Sequence, residues 1–195
     1  LGIKEIPLLI LTHSHADHVG GLAGLEKNRV VKRTWYGNIA AGTKAHLDGI
    51  EIEVLWPPPH YGGDGNPNNS SIAAIFRSHD FTLFAAGDIE PPVQTQLESR
   101  IGRVDIYKVA HHGSRYQDAQ LLRELSPSIA LISVGAKNSY GHPAASTIAE
   151  LTEIGAKVLR TDRDGAVAIQ AERHRFTVQR SKRWRSEEHT SELQS

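Results

Sequence analysis

Four side chains able to bind a divalent cation stand within six residues, His13-x-His15-x-Asp17-His18. Imidazole and carboxylate are the ligands that zinc and manganese accept at neutral pH. The cluster follows a continuous apolar run, Ile6-Pro7-Leu8-Leu9-Ile10-Leu11, and precedes a glycine-rich stretch from Val19 to Leu25 that reads as a short helix. A loop at the end of a buried strand can splay His13 and His15 toward one point. Asp17 and His18, at the start of the helix, then face a second. Two further apolar runs end in groups of the same kind: Phe84-Ala85-Ala86-Gly87-Asp88, and Asp105 to Ala110 leading into His111-His112-Gly113-Ser114. Gly-Asp alone is also ordinary turn chemistry, and paired histidines can merely cap a strand. Together the three segments describe a metal centre, whose natural chemistry is hydrolysis by activated water.

The elements that must hold these groups follow from pattern. Clean alternation over Ile50 to Trp56 marks a half-buried strand, and the breaker-rich stretch 57–70 is a long loop. Strands are expected at Val30 to Trp35, Ile72 to Arg77, Phe81 to Ala86, Asp105 to Ala110, Ile129 to Val134, Val158 to Thr161, Ala166 to Gln170 and Phe176 to Gln179. Helices are expected at Pro92 to Arg100, Ala119 to Leu125 and Ala144 to Ile154. Strands first, then strands alternating with helices, argue for an α/β layered domain.

Composition narrows the class. The 195 residues carry 22 basic and 22 acidic side chains, so no global charge marks a nucleic-acid or membrane-surface binder. The absence of Cys excludes disulfides and thiolate metal sites. No apolar run approaches the roughly 20 residues of a membrane span. Met is also absent, at position 1 included, so a fragment of a longer chain is expected. The last ten residues, 186–195, lack periodicity and resemble translated sequencing-adaptor read-through. Without their three glutamates, 22 basic groups face 19 acidic ones. The surplus gathers in Arg173, Arg175, Arg180, Lys182, Arg183 and Arg185, either a solvated strand and tail or a strip that tracks DNA.

The first motif resembles the signature of the metallo-β-lactamase fold superfamily. Behind it stand, in order, Asn68-Asn69-Ser70-Ser71-Ile72, Gly87-Asp88-Ile89-Glu90, Val109-Ala110-His111-His112-Gly113-Ser114 and Ser139-Tyr140-Gly141-His142-Pro143. This set resembles the C-terminal hydrolase domain of the ComEC competence-protein family over roughly residues 5–172. The resemblance implies a four-layer αββα sandwich lacking its first strands, because such proteins place two or three strands before the first motif. Residues 1–180 would form the partial hydrolase domain, and 181–195 a basic, then polar, disordered tail, non-native from 186.

The resemblance also implies two divalent ions, zinc or alternatively manganese. His13, His15 and Asp88 would hold one; Asp17, His18, Asp88 and His112 the other. Asp17 and His111 are the catalytic candidates, with His111 protonating or orienting the leaving oxygen. Asn69, Ser70, Ser114 and His142 are the expected substrate contacts, although His142 before Pro143 could equally cap a helix. Lys108 and Arg115 flank the histidine pair and could hold a phosphate. His46, His60 and His79 are expected on the surface. Successive residues of an extended strand face opposite ways, so only one of His111 and His112 should reach the metals; the turn at Gly113 favours His112.

By the same resemblance the substrate is DNA, cleaved as a phosphodiester. The partner is the membrane-channel portion of the same protein, and the domain faces outward from a bacterial cell membrane. Lactone, thioester or choline-phosphate hydrolysis on the same fold is the rival chemistry. A non-catalytic DNA-binding or regulatory domain is the rival class.

Overall fold

The computed structural model describes residues 2–37 and 39–181. Of the tail expected at 181–195, residues 182–195 lie outside the described residues. The first apolar run is not one strand: Pro7 has no N–H to pair, and β1 (Glu5–Ile6) and β2 (Leu9–Ile10) fall on either side of it. They pair in parallel with β3 (Val30–Val31) and β4 (Thr34–Trp35). The short helices α1 (Ala16–Val19) and α2 (Leu22–Glu26) make the crossover between the two runs.

Seven strands form the main sheet: β5 (Lys44–Leu47), β6 (Ile50–Trp56), β7 (Ala73–Arg77), β8 (Thr82–Ala85), β9 (Ile106–Lys108), β10 (Ile129–Ile132) and β11 (Lys157–Arg160). Their order is β11-β10-β9-β8-β7-β6-β5. The half from β8 to β11 is parallel and the half from β5 to β8 antiparallel. Strand β5 is absent from the sequence reading, because Lys44-Ala45-His46-Leu47 is too polar and short to stand out. Its signal was the turn: Asp48 and Gly49, both at positive φ (46° and 80°), close a two-residue hairpin onto β6.

Helices α3 (Pro91–Leu97), α4 (Ala119–Leu125) and α5 (Ala145–Glu153) cover one face of this sheet. They bring Val93, Leu97, Leu121, Leu122, Leu125 and Leu151 against Phe84, Tyr107, Ala130 and Ile132. Alternation along the strands sends their other residues to the opposite face. There Leu8, Ile10 and Trp35 pack on Ala45, Ile52, Val54 and Ala74. The hairpin of β12 (Val167–Glu172) and β13 (Arg175–Arg180), which follows the single turn α6 (Thr161–Asp164), sets Val167, Ile169, Phe176 and Val178 on Ile106, Ile129 and Leu159. A helical layer, a mixed sheet and a second, divided β layer result. Among the described residues no helix is long and apolar enough to cross a membrane.

Candidate metal centre

The carboxyl ends of adjacent parallel strands open on a shared crevice, the usual ligand position in such sheets. Strand β8 delivers Asp88 there, β9 delivers His111 and His112, and the end of β2 contributes His13. The Ile72 amide donates to the Thr12 carbonyl (2.9 Å), tying that loop to the lead-in of β7. His15 is the last extended residue before α1, and Asp17 and His18 lie within that helix. Gly87 sits at φ +60°, where a Cβ would lie 2.7 Å from the Cβ of Ser71. Only glycine lets the β8 end run this close.

The histidine pair departs from expectation in its backbone. Strand β9 ends at Lys108, and Ala110–Gly113 is a tight 3-10 turn in which His111 and His112 both have left-handed φ (47° and 53°). Opposite faces of an extended strand therefore do not separate the two rings. The turn does, swinging His112 to the cluster and His111 to Glu90.

One ligand atom from each of Asp17, His18, Asp88 and His112 lies within 4.8 Å of the others. Asp88 Oδ2 is 3.0 Å from His18 Nε2 and 3.4 Å from His112 Nε2. The two imidazole nitrogens are 3.3 Å apart, and Asp17 Oδ2 is 3.1 Å from His112 Nε2. His13 Nε2 lies 4.0 Å from the same Oδ2 and 3.0 Å from His15 Nδ1. Asp88 itself is buried, and its Oδ1 has no hydrogen-bond partner. A divalent cation where one atom each of Asp17, His18, Asp88 and His112 converges would offset the repulsion between the two carboxylates. The donor set fits a divalent metal.

Neighbouring groups orient the ligands. His112 Nδ1 donates to the Ser133 carbonyl (2.8 Å), which leaves Nε2 as the free ligand atom. Thr12 Oγ1 lies 2.9 Å from His18 Nδ1, and Ser71 Oγ 3.0 Å from His13 Nδ1. Ser71 Oγ also accepts from the Asp88 amide (3.0 Å). Burial, and then the neighbouring His18, lowers His13 to about 4, so it is neutral at physiological pH. Burial pushes the Asp88 carboxyl up, but hydrogen bonds from His112 and His18 outweigh it and hold the group well below the usual carboxylate range. The same contact with Asp88 raises His112.

The remaining expected residues are distributed unevenly. His111 stays out of the cluster, with Nδ1 buried and 3.3 Å from Glu90 Oε1, though without hydrogen-bond geometry. Its ring centroid is 5.2 Å from that of His142. His142 lines a cleft of about 380 Å³ with Asp17 and His112, and Ser70 lines a second, of about 480 Å³, with His13. Asn69 and Ser114 line neither of these two clefts. Both are buried and already bonded. Asn69 Nδ2 donates to Asp64, its Oδ1 accepts from the Glu90 amide, and its carbonyl accepts from Trp56 Nε1. Ser114 Oγ accepts from the Tyr116 amide, and its carbonyl accepts from Thr147 Oγ1. Lys108 Nζ donates to the Val109 carbonyl, and burial lowers its ammonium. His46 and His79 are on the surface beside Glu51 and Asp80, and His60 is exposed. Thr12, Ser71, Ser133 and Glu90 were missed as supports. Ser71 and Glu90 stand within the quoted motifs, whereas Thr12 and Ser133 are marked only by their place after an apolar run.

A family profile described as the metallo-beta-lactamase superfamily matches residues 1–135. The chain belongs to this superfamily. A solved structure, the CmlA beta-hydroxylase E377D mutant, superposes with a TM-score of 0.53 at 16% identity, covering 80% of this chain and 43% of that one. It supports the fold alone. Among curated proteins the chain is similar to ComE operon protein 3 of Bacillus subtilis (strain 168), 26% identical over 193 residues, covering 85% of this chain and 25% of the relative. It is likewise similar to Competence protein ComA of Neisseria gonorrhoeae, 26% identical over 183 residues, with 85% and 25% covered. The chain thus spans about a quarter of the length of these relatives. Metallo-beta-lactamase domains are typically metal-dependent hydrolases, and the cluster around Asp88 gives this one a matching donor set.

Proposed function

We propose that this domain is a binuclear metal-dependent phosphodiesterase that cleaves DNA as part of a DNA-uptake protein. In that protein it would face outward from the membrane, beside the channel portion of the same chain. The observation that carries the reading is Asp88, a buried carboxylate whose Oδ2 has His18, His112 and His13 Nε2 at 3.0, 3.4 and 4.0 Å. His13, His15 and Asp88 would hold one ion, and Asp17, His18, Asp88 and His112 the other, zinc or manganese in both. Bound there, divalent cations acidify water and offset charge developing on a phosphoryl oxygen. Asp17, on the cleft wall beside His112, holds the proton of the attacking water at Oδ2. His111 delivers a proton from Nε2 to the leaving oxygen, and Ser70 and His142 contact the substrate from the two clefts. The similarity to competence proteins supports DNA as the diester.

The test is a substrate panel for the full chain, with zinc, with manganese and after chelation: single- and double-stranded DNA, bis-nitrophenyl phosphate, a lactone, a thioester and a choline phosphate. Metal-dependent cleavage of the DNA and the diester is expected. Turnover confined to the lactone, thioester or choline phosphate would replace the phosphodiesterase, and stoichiometric metal without turnover would favour a binding domain.

A further inference from the structure

We propose that Tyr140 is a stacking shelf for one unpaired nucleobase beside the metal centre, so that the domain takes single-stranded in preference to duplex nucleic acid. The inference rests on the phosphodiesterase reading of the same centre and deepens it. Tyr140 is 84% exposed, the most exposed large hydrophobic side chain among the described residues. Its ring lies nearly parallel to that of His142, at 18° and 6.5 Å between centroids. Both rings line the cleft that also contains Asp17 and His112. An aromatic face left in water at the wall of a catalytic cleft gains most from a flat apolar partner, and a base attached to the phosphate at the centre is such a partner.

The shelf is braced, which separates it from an idle surface tyrosine. Asn138 cross-links its loop: Nδ2 donates to the His142 carbonyl (2.8 Å), Oδ1 accepts from the His142 amide (3.3 Å), and its own amide donates to the Gly135 carbonyl (3.1 Å). Gly141, at φ +76°, makes the turn that this closure needs. The root of the loop is fixed as well. Val134 exchanges two hydrogen bonds with Thr161 Oγ1 (2.7 and 2.8 Å), and the preceding Ser133 carbonyl orients His112. One strand end therefore sets both a metal-ligand ring and the shelf. A base in a duplex is already stacked on its neighbours, so the shelf rewards only a base that has left the stack.

The test compares three labelled oligonucleotides by fluorescence anisotropy on the full chain, in calcium to screen the carboxylates: a single strand, the same strand with abasic positions, and its duplex. The parent should bind the base-bearing strand roughly tenfold to hundredfold more tightly than the abasic one, the range expected of one base–aromatic stack. Tyr140→Ala should bind both alike, and Tyr140→Phe, which keeps the ring, should restore the preference. No preference in the parent, an equal preference in Tyr140→Ala, or duplex binding as tight as single-strand binding overturns the shelf. Cleavage is assayed separately with zinc. A ring-dependent preference without cleavage keeps the shelf and removes the phosphodiesterase, whereas cleavage without the preference does the reverse.

Discussion

At the scale of single residues, the two adjacent histidines have different surroundings and should fail differently. His112 Nε2 lies 3.1 Å from Asp17 and 3.4 Å from Asp88. His111 lies beside Glu90 instead. His112→Ala is therefore expected to lower bound metal, measured by elemental analysis after dialysis, together with diester hydrolysis. His111→Ala should keep its metal and slow DNA cleavage by about a hundredfold to ten-thousandfold, the usual range for a proton donor. With a nitrophenyl leaving group, which departs without a proton, that defect should shrink. Metal lost from His111→Ala but kept by His112→Ala would exchange their roles. Asp88→Ala should strip metal from both sides of the centre, since Asp88 adjoins both ligand groups.

At the scale of elements, the centre depends on close approaches between loops rather than on regular structure. Ser71 Oγ touches both the His13 ring and the Asp88 amide, linking the lead-in of β7 to two strand ends. Ser71→Ala leaves a buried amide without its acceptor and should cost about 1–3 kcal/mol in urea unfolding. Metal affinity should fall with it, although no ligand has been removed. Gly113 presses on the segment before α5: at φ +79°, an added Cβ would come within 2.7 Å of Pro143 Cβ. Backbone and overpacking costs together predict that Gly113→Ala loses about 2–4 kcal/mol. It should also displace the His111–His112 turn, read as weaker metal binding. Unchanged melting and metal affinity in this variant would show that the turn is not wedged.

At the scale of the whole molecule, the titrating groups of the centre couple folding to pH and metal. His13 is held at about 4, against an ordinary 6.5. Between those values the unfolded chain binds a proton that the folded chain refuses. Its stabilisation is complete above pH 6.5 and is lost as the pH falls toward 4, an effect on the order of 3 kcal/mol at most. His112 acts in the opposite sense. Raised by its contact with Asp88, it contributes fully below pH 6.5 and loses that contribution as the pH rises through its folded value. The metal-free chain should thus melt highest near pH 6.5 and lower on either side. A divalent cation binds deprotonated His112, so loading should raise and flatten the alkaline limb. Melts of chelated and zinc-loaded protein across this range test the shape, and a metal-free profile still climbing at high pH would contradict it.

The sequence by itself determined the layered α/β class, the three ligand-bearing strand ends and nearly all the strands around them, because these are local. Apolar runs with period two bury whatever the partner, and a His–Asp cluster after such a run has few other uses. The break at Pro7 and the hairpin turn Asp48-Gly49 before β6 were present in the sequence but went unread, each resting on a single breaker or turn. Tertiary structure alone decided the rest. Which of His111 and His112 meets Asp88 depends on two left-handed φ angles in a turn whose last residue, Gly113, lies against Pro143. Asn69 and Ser114 look like free polar side chains in the sequence, yet Asp64 and the Glu90 amide engage the first and the Tyr116 amide the second. Thr12, Ser71 and Ser133 became supports of the centre only when strands distant in sequence set their oxygens beside ligand rings. A hydrogen bond of about 3 Å is fixed by the packing of two sheets and a helical layer, and no local pattern records it.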